Sequence, residues 1–447
     1  MKAVFQIPFW CFVIGVGHIA YGASEATPSA GLSLTEAVQE AEGKNPDLQT
    51  LGFRAERMGW AKLEAWSGHL PQLSIDFDRY LKTKYLRQNV ILGGNPAISF
   101  PAAYPESSLT VNASLNLFDG LKTIFQIKAA DKNAEAAGLD YSRAKFKLER
   151  EVRRRYYRAL AAQKLLEVAE QNVKTLQDHL NIARSSERAG YGLRVDVLRI
   201  QANLDEALAE QGAARDNVDI ERASLSEVMG IESDTRGLTG ELPVLKATDV
   251  PADLALTLDR RDDVQAQILR EEASDNLSLA AKGAWLPALS IFGQLQYYKF
   301  GDSDPAILAN DNFQNAYAVG LRLTWSLFDG GRTISRERQA SDQAKENESS
   351  LRSVYTHLPR EFLTWKKKFF YNVSLYQARV KTLEQSQESV RLSMAGAKAG
   401  TRTNTEVLDA ELDLFRARAG IIRAQSDAIE ALNQLELAVG YPLWKNI

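Results

Sequence analysis

Two hydrophobic periods alternate along this chain. From Leu109 to Leu117 every second residue is apolar (Leu109, Val111, Ala113, Leu115, Leu117), with Thr110, Asn112, Ser114 and Asn116 between them. Val319, Leu321, Leu323, Trp325 and Leu327 repeat the pattern around Gly320, Arg322, Thr324 and Ser326. Strict alternation marks a strand with one greasy and one hydrophilic face. An opposing run precedes each: Leu73, Ile75 and Phe77 among Ser74, Asp76 and Asp78, and Leu289, Ile291, Leu295 and Tyr297 among Ser290, Gln294 and Gln296. The spacing predicts one β-hairpin over about 72–118 and another over about 288–328. Their long tips fall around Gly93–Pro96 and Gly301–Pro305.

Elsewhere the period is between three and four. Gly120 to Leu242 contains no proline and is rich in Ala, Leu, Glu, Lys, Arg and Gln, a helical composition. A seam runs Val197, Ile200, Leu204, Ala207, Gln211, Ala214, Val218, Glu221, Leu225, Val228, preceded by Leu166, Ala169, Val173, Leu176, Leu180 and Ala183. A second runs Val407, Ala410, Leu414, Ala417, Ile421, Ala424, Ala428, Ala431, Leu435, Ala438. A sustained repeat of about 3.5 predicts helices wound as coiled coils, and the small seam residues predict close packing. Gly190 and Gly400 are placed to end a helix in a left-handed turn. Leu121 to Ala189 would then be one helix on the order of 100 Å long. Pro359 is expected to kink or interrupt its counterpart in the second half.

The two halves are copies of one pattern. HLPQLSI (69–75) returns as WLPALSI (285–291), LNLFDG (115–120) as WSLFDG (325–330), AGYGLRVDVL (189–198) as AGTRTNTEVL (399–408), and EVMG (227–230) as LAVG (437–440). NPDL (45–48) has an echo in RDDV (261–264). The landmarks keep their order, which identifies a duplication. The halves span 23–230 and 254–440, with helical hairpins over 120–230 and 330–440, a linker at 231–253 and a tail at 441–447. The FDG phrases mark the passage from strand to long helix: Asp119 and Asp329 are capping residues, and Gly120 and Gly330 relieve the backbone. Pro71 and Pro287 mark the opposite passage, halting the incoming helix and starting the strand.

Composition narrows the function. A net charge of −3 gives no basic surplus for nucleic acid. Residues 1–22 read as a secretory signal, with Lys2 before an apolar stretch and small residues at Ala20 and Gly22. Its removal takes away Cys11, the chain's one cysteine, so no thiol chemistry or lipid anchor is expected. His69, His179 and His357 are scattered, and no nucleophile, base and orienting group come together. An enzyme and a bound cofactor are therefore not expected.

The four strands are each about 9 to 11 residues long, enough to cross a bilayer when tilted. Soluble amphipathic hairpins look alike, but a soluble sheet needs an apolar cover, and the coiled-coil seams are already used. Four strands cannot close in lipid, where an open edge is not tolerated. Three chains supply twelve strands around a lumen lined by Asp76, Asp78, Asn112, Gln294, Gln296 and Arg322, with Tyr80, Tyr85, Tyr104, Tyr297, Tyr298 and Tyr317 in aromatic girdles. Two chains would give eight strands, whose interior fills.

The duplicated LP–strands–FDG–long-helix pattern, with AGTRTNTEVLDAELDL (399–414), resembles the TolC-like outer-membrane factors. The resemblance covers nearly the whole mature chain. It implies a homotrimer: a twelve-stranded transmembrane β-barrel in the outer membrane of a Gram-negative bacterium, continued by an α-helical barrel through the periplasm. Such a duct serves tripartite efflux or type I secretion, with a periplasmic adaptor and an inner-membrane pump or ABC exporter as partners. Residues 231–253 and 441–447 would form an equatorial belt. The family's gate carboxylates carry over to Glu406 and Asp409, with Arg402 as a bracing tip residue and Gly190, Gly400 and Thr401 as adaptor-facing turns. Glu406 departs from the family's usual Asp. In the first repeat Asp196 matches Glu406 and Arg199 matches Asp409, so a mixed ring is possible. A plainer reading also fits: Thr403 to Glu406 is a capping box, and Asp409 suits the helix dipole. A soluble periplasmic coiled-coil adaptor is the competing function. The four methionines form no cluster that would name a metal cargo, and the exported substrate stays open.

Overall fold

The computed structural model describes residues 31–81, 86–90, 98–102, 107–190, 192–299 and 314–444. The expected signal, both hairpin tips, Tyr85 and Tyr104 lie outside those residues. In chain order come β1 (Gly31–Leu32), α1 (Leu34–Lys44), α2 (Pro46–Ser67), β2 (Gln72–Arg79), β3 (Leu86–Val90), β4 (Ile98–Ala102), β5 (Ser107–Phe118), α3 (Lys122–Arg188) and α4 (Arg194–Met229). After them come β6 (Gly237–Leu238), α5 (Asp262–Lys282), β7 (Ala288–Lys299), β8 (Gln314–Thr324), α6 (Arg332–Lys398) and α7 (Asn404–Val439).

The two hairpins join into one antiparallel sheet of order β2-β5-β7-β8, while β3 and β4, between β2 and β5 in sequence, pair with each other as a separate two-stranded sheet. Register puts like with like. Ile75 lies opposite Val111, Val111 opposite Leu295, and Leu295 opposite Tyr317, while Asp76, Thr110, Gln296 and Ala316 form the neighbouring row. One face is therefore apolar across all four strands. Leu73, Ile75, Phe77, Tyr317, Val319, Leu321 and Leu323 are exposed on it. Left in water, seven such side chains forgo on the order of 10–20 kcal/mol.

The helices follow the same lateral order as the strands. α3 packs beside α2 and α5 along its first part, where Lys62 meets Asp131 at 2.9 Å and Lys132 meets Glu272 at 2.8 Å. Along its last part it packs beside α4 and α7, where Arg184 donates to Gln201 at 2.7 Å. α6 packs beside α5 and then α7. The short helices meet end to end. Gly230 closes α4 at φ +73°, and a Cβ there would lie 2.6 Å from the Lys44 carbonyl oxygen. Asn45, the N-cap of α2, donates to Val228 O at 2.8 Å. In the second repeat Gly440 presses on Arg261, whose Nη1 donates to Ala438 O at 2.8 Å. Each chain thus has four columns: two continuous (α3, α6) and two jointed (α2 on α4, α5 on α7).

Pro359 does not interrupt its helix, since α6 runs unbroken through it over 67 residues. Losing one backbone donor costs up to about 3 kcal/mol, and packing from α5, α7 and the buried Leu358 outweighs it. The passages ahead of the prolines also differ from expectation. α2 ends at Ser67 and α5 at Lys282, each followed by a tight turn, so the helices stop ahead of the prolines; Pro71 and Pro287 do stand where the strands begin, one residue before β2 and β7.

The interior is densest at mid-height. Leu245 and Val250 of the linker, with Leu254 just after it, pack with Phe369, Val373, Leu432, Leu435 and Val439, and Tyr441, Leu443 and Trp444 close over them. β1 pairs in parallel with β6, and the Tyr156 hydroxyl donates to Leu32 O at 2.9 Å beside that bridge. Glu436, with 0% exposure, sits at the centre. It accepts from Arg150 Nε at 3.0 Å, from Arg153 Nη2, and from the backbone N–H groups of Leu443 and Trp444, each at 2.9 Å. Burial holds the Arg153 guanidinium below its ordinary pKa, against the opposing pull of Glu436.

Candidate functional site

The end of the molecule away from the sheet is built by two helix turns. Gly190 (φ +86°) donates to Glu187 O at 3.0 Å after α3, and Gly400 (φ +74°) donates to Ala397 O at 3.1 Å after α6. Thr401 N–H then closes on Gly396 O at 2.9 Å. These are the left-handed stops the glycine positions imply. Arg402 turns back over Gly396, and its Nη1 lies 3.4 Å from Ser393 Oγ. It braces its own hairpin.

At the start of α7 the capping box is fully formed. Glu406 N–H donates to Thr403 Oγ1 at 3.3 Å, and Thr403 N–H donates to a Glu406 carboxylate oxygen at 2.8 Å. Asp409, one turn on, stands 3.5 Å from Arg199 of α4. The two positions that the duplication makes equivalent are therefore partners within one chain. Asp196 occupies the first turn of α4, and among the described residues no hydrogen bond or ion pair joins its side chain to Glu406 or Asp409. Beyond Asp409 the exposed face of α7 continues through Asp413, Arg416, Arg423 and Asp427. There it borders a groove of about 670 Å³ that also includes Glu210 and Arg379.

Below that face, Leu408 packs among Leu176, Leu180, Ile200 and Leu204, joining the second helical hairpin to the first. His179 Nε2 lies 2.7 Å from Glu411 Oε2 in the same seam. The adjoining Glu411 carboxylate raises the imidazole pKa, with partial burial opposing and Asp178 adding to the rise. Sequence reading passed over His179 as scattered. The signal was its place one residue before Leu180, a seam position.

At the other end, Asp119 accepts the Thr123 N–H and Asp329 the Thr333 N–H, both at 3.0 Å. Gly120 and Gly330 both take φ +72°. Each is followed by a second left-handed residue, Gly331 (φ +87°) in one repeat and Leu121 (φ +65°) in the other. A Cβ on Gly120 would lie 2.2 Å from Gly283 O, so the junction also fixes the end of α5. Among the described residues no helix is long and apolar enough to cross a membrane. The candidate spanning element is the sheet.

A sheet with an unsupported apolar face, joined by a repeated junction to long coiled coils, defines a class, and comparison with known proteins agrees. Residues 37–231 and 254–441 match the family described as "Outer membrane efflux protein", and the chain belongs to it. It is an outer-membrane exit duct of efflux or secretion systems, projecting into the periplasm. The outer membrane protein TolC of Vibrio cholerae is 24% identical over 422 residues, covering 91% of this chain and 90% of that one. The alkaline protease secretion protein AprF of Pseudomonas aeruginosa is 26% identical over 299 residues, 64% of this chain and 60% of that protein. The Campylobacter jejuni CmeC outer membrane channel shares the fold at a TM-score of 0.77 and 14% identity, over 99% of this chain and 96% of that one. The soluble-adaptor reading falls with the family assignment.

Proposed function

We propose that three copies close edge to edge into one conduit, gated at its periplasmic tip. The observation that carries this reading is the agreement of the edges. β2 and β8 bound the sheet. β2 continues from α2, and β8 leads into α6, at opposite sides of the helical layer. Strand directions alternate, so β8 of one copy meets β2 of the next antiparallel, and lipid tolerates the sheet only once it is closed. Three copies give twelve strands and an open lumen. Detergent-extracted trimer supports the reading. A water-soluble monomer released by osmotic shock overturns it.

At the tip, Glu406 and Asp409 of three copies converge as carboxylate rings, with Arg402 and the Arg199–Asp409 pair bracing the closed state. The turns at Gly190, Gly400 and Thr401 face a periplasmic adaptor, and an inner-membrane pump or ABC exporter delivers cargo from below. Converging carboxylates attract divalent cations. Single-channel recording is expected to show divalent-ion block that Glu406→Ala with Asp409→Ala relieves. Block unchanged in that double variant removes the gate assignment.

A further inference from the structure

The largest wholly apolar side chain on the hydrophilic face of the sheet is Phe292 of β7. It stands in the row Gln72, Ser114, Phe292, Gly320, between the rows Ser74, Asn112, Gln294, Ala318 and Asn116, Ser290, Arg322. Its ring lies across Gly320 on the neighbouring strand: a Cβ added there would be 3.1 Å from two ring atoms. The next row toward the helices is Asn116, Ser290, Arg322, and the Arg322 guanidinium carbon lies 4.6 Å from the centre of the Phe292 ring. Glycine gives the ring space to lie along the wall. The ring in turn offers its negative face to the cation.

Charge on this face is sparse. Among the described residues its charged side chains are Asp76, Asp78 and Arg322. The acids lie toward the far end of the strands, where Asp76 accepts from Asn112 at 2.8 Å. Arg322 lies near the helical end, three two-residue rows from Asp76, or about 20 Å along the strands. The wall is therefore polarised along its length, basic where strands meet helices and acidic at the outer end.

We propose that Arg322, laid on Phe292 over Gly320, is a specificity-determining group of the duct. Three copies form a basic collar at the barrel–tunnel junction that favours anionic solutes and carboxylate-bearing cargo. Phe292 is the positioning residue. It holds the cation against the wall, where it attracts passing anions without narrowing the lumen. This rests on the trimeric-conduit reading, which turns the hydrophilic face inward.

Reversal potentials of the purified trimer in planar bilayers, under a KCl gradient, test it. The Glu406→Ala, Asp409→Ala background keeps the tip from masking the barrel. Arg322→Gln is expected to move the permeability ratio toward potassium by about two-fold, and Asp76→Asn to move it toward chloride. Phe292→Leu is expected to follow Arg322→Gln by a smaller amount, and a ratio equal to the parent's would remove the ring's part. An unchanged ratio in Arg322→Gln, with Asp76→Asn shifted, overturns the collar and leaves the conduit standing. A parent protein that forms no channel overturns the conduit itself.

Discussion

At the equator, Glu436 has no exposure and gathers two arginines and two backbone amides. At the tip, Arg199 and Asp409 meet at 3.5 Å with 51% and 59% of their side chains open to water. Both places join elements distant in sequence by ionic contacts, yet their energetics differ. A buried ion network is expensive to break because each survivor is left charged without water. An exposed pair contributes little, since water and salt replace it readily. A buried network thus holds the equator, and an exposed pair joins the hairpins at the tip.

The largest effect should come from breaking the equator. Glu436→Ala leaves Arg153 buried without a carboxylate and Arg150 with Glu149 alone, and is expected to cost about 3–5 kcal/mol. The unfolding midpoint of the detergent-solubilised protein measures it, and a value near the parent's would place equator and tip on one footing. Next comes a contrast between glycines. Gly230→Ala meets both a left-handed backbone and the Lys44 carbonyl, whereas Gly400→Ala meets the backbone strain alone, with nothing within 4 Å. About 2–3 kcal/mol is expected for the first and about 1 kcal/mol for the second. Equal losses would deny the joint between α4 and α2.

A smaller effect depends on pH. The folded-state pKa of His179 is raised, so its ion pair with Glu411 contributes fully below the unfolded value of about 6.5. That contribution is lost as pH rises through the higher folded value. Hydrogen-exchange protection across 405–415, corrected for intrinsic rates, should therefore be greater at about pH 5.5 than at about pH 8.5, by about 1 kcal/mol. His179→Gln should abolish the difference. A pH dependence that survives the substitution belongs to other groups. The smallest effect on stability belongs to Arg199→Ala, about 0.2–1 kcal/mol. Its readout is single-channel open probability, which should rise, and an unchanged value would strip the pair of any bracing role.

Much of this architecture is legible in the residues because it is periodic or repeated. The two-residue alternation gives both hairpins, and the shared apolar face follows from register. The 3.5-residue seams mark Ile200, Leu204, Ala207, Ala417, Ala424 and Leu435 as interior, and all are buried. Capping chemistry is local, so Thr403 with Glu406 and Asp119 with Thr123 are readable within five residues. What escapes is long-range or compensated. Glu436 finds Arg150 and Arg153 from more than 280 residues away, and the one clue was a carboxylate inside the apolar run LELAV (435–439). Pro359 reads as a break because propensity is local, while the packing that overrides it is not. Leu121 hides its left-handed turn behind an ordinary side chain, although Gly331 at the matching place in the second repeat betrays it.

The joints between α4 and α2 and between α7 and α5 have a mechanical meaning. A column made of two abutting pieces can swivel where they touch, with every helical hydrogen bond kept, whereas α3 and α6 must flex along their length. Any displacement of α4 or α7 against the helices above them would thus fall on these two joints.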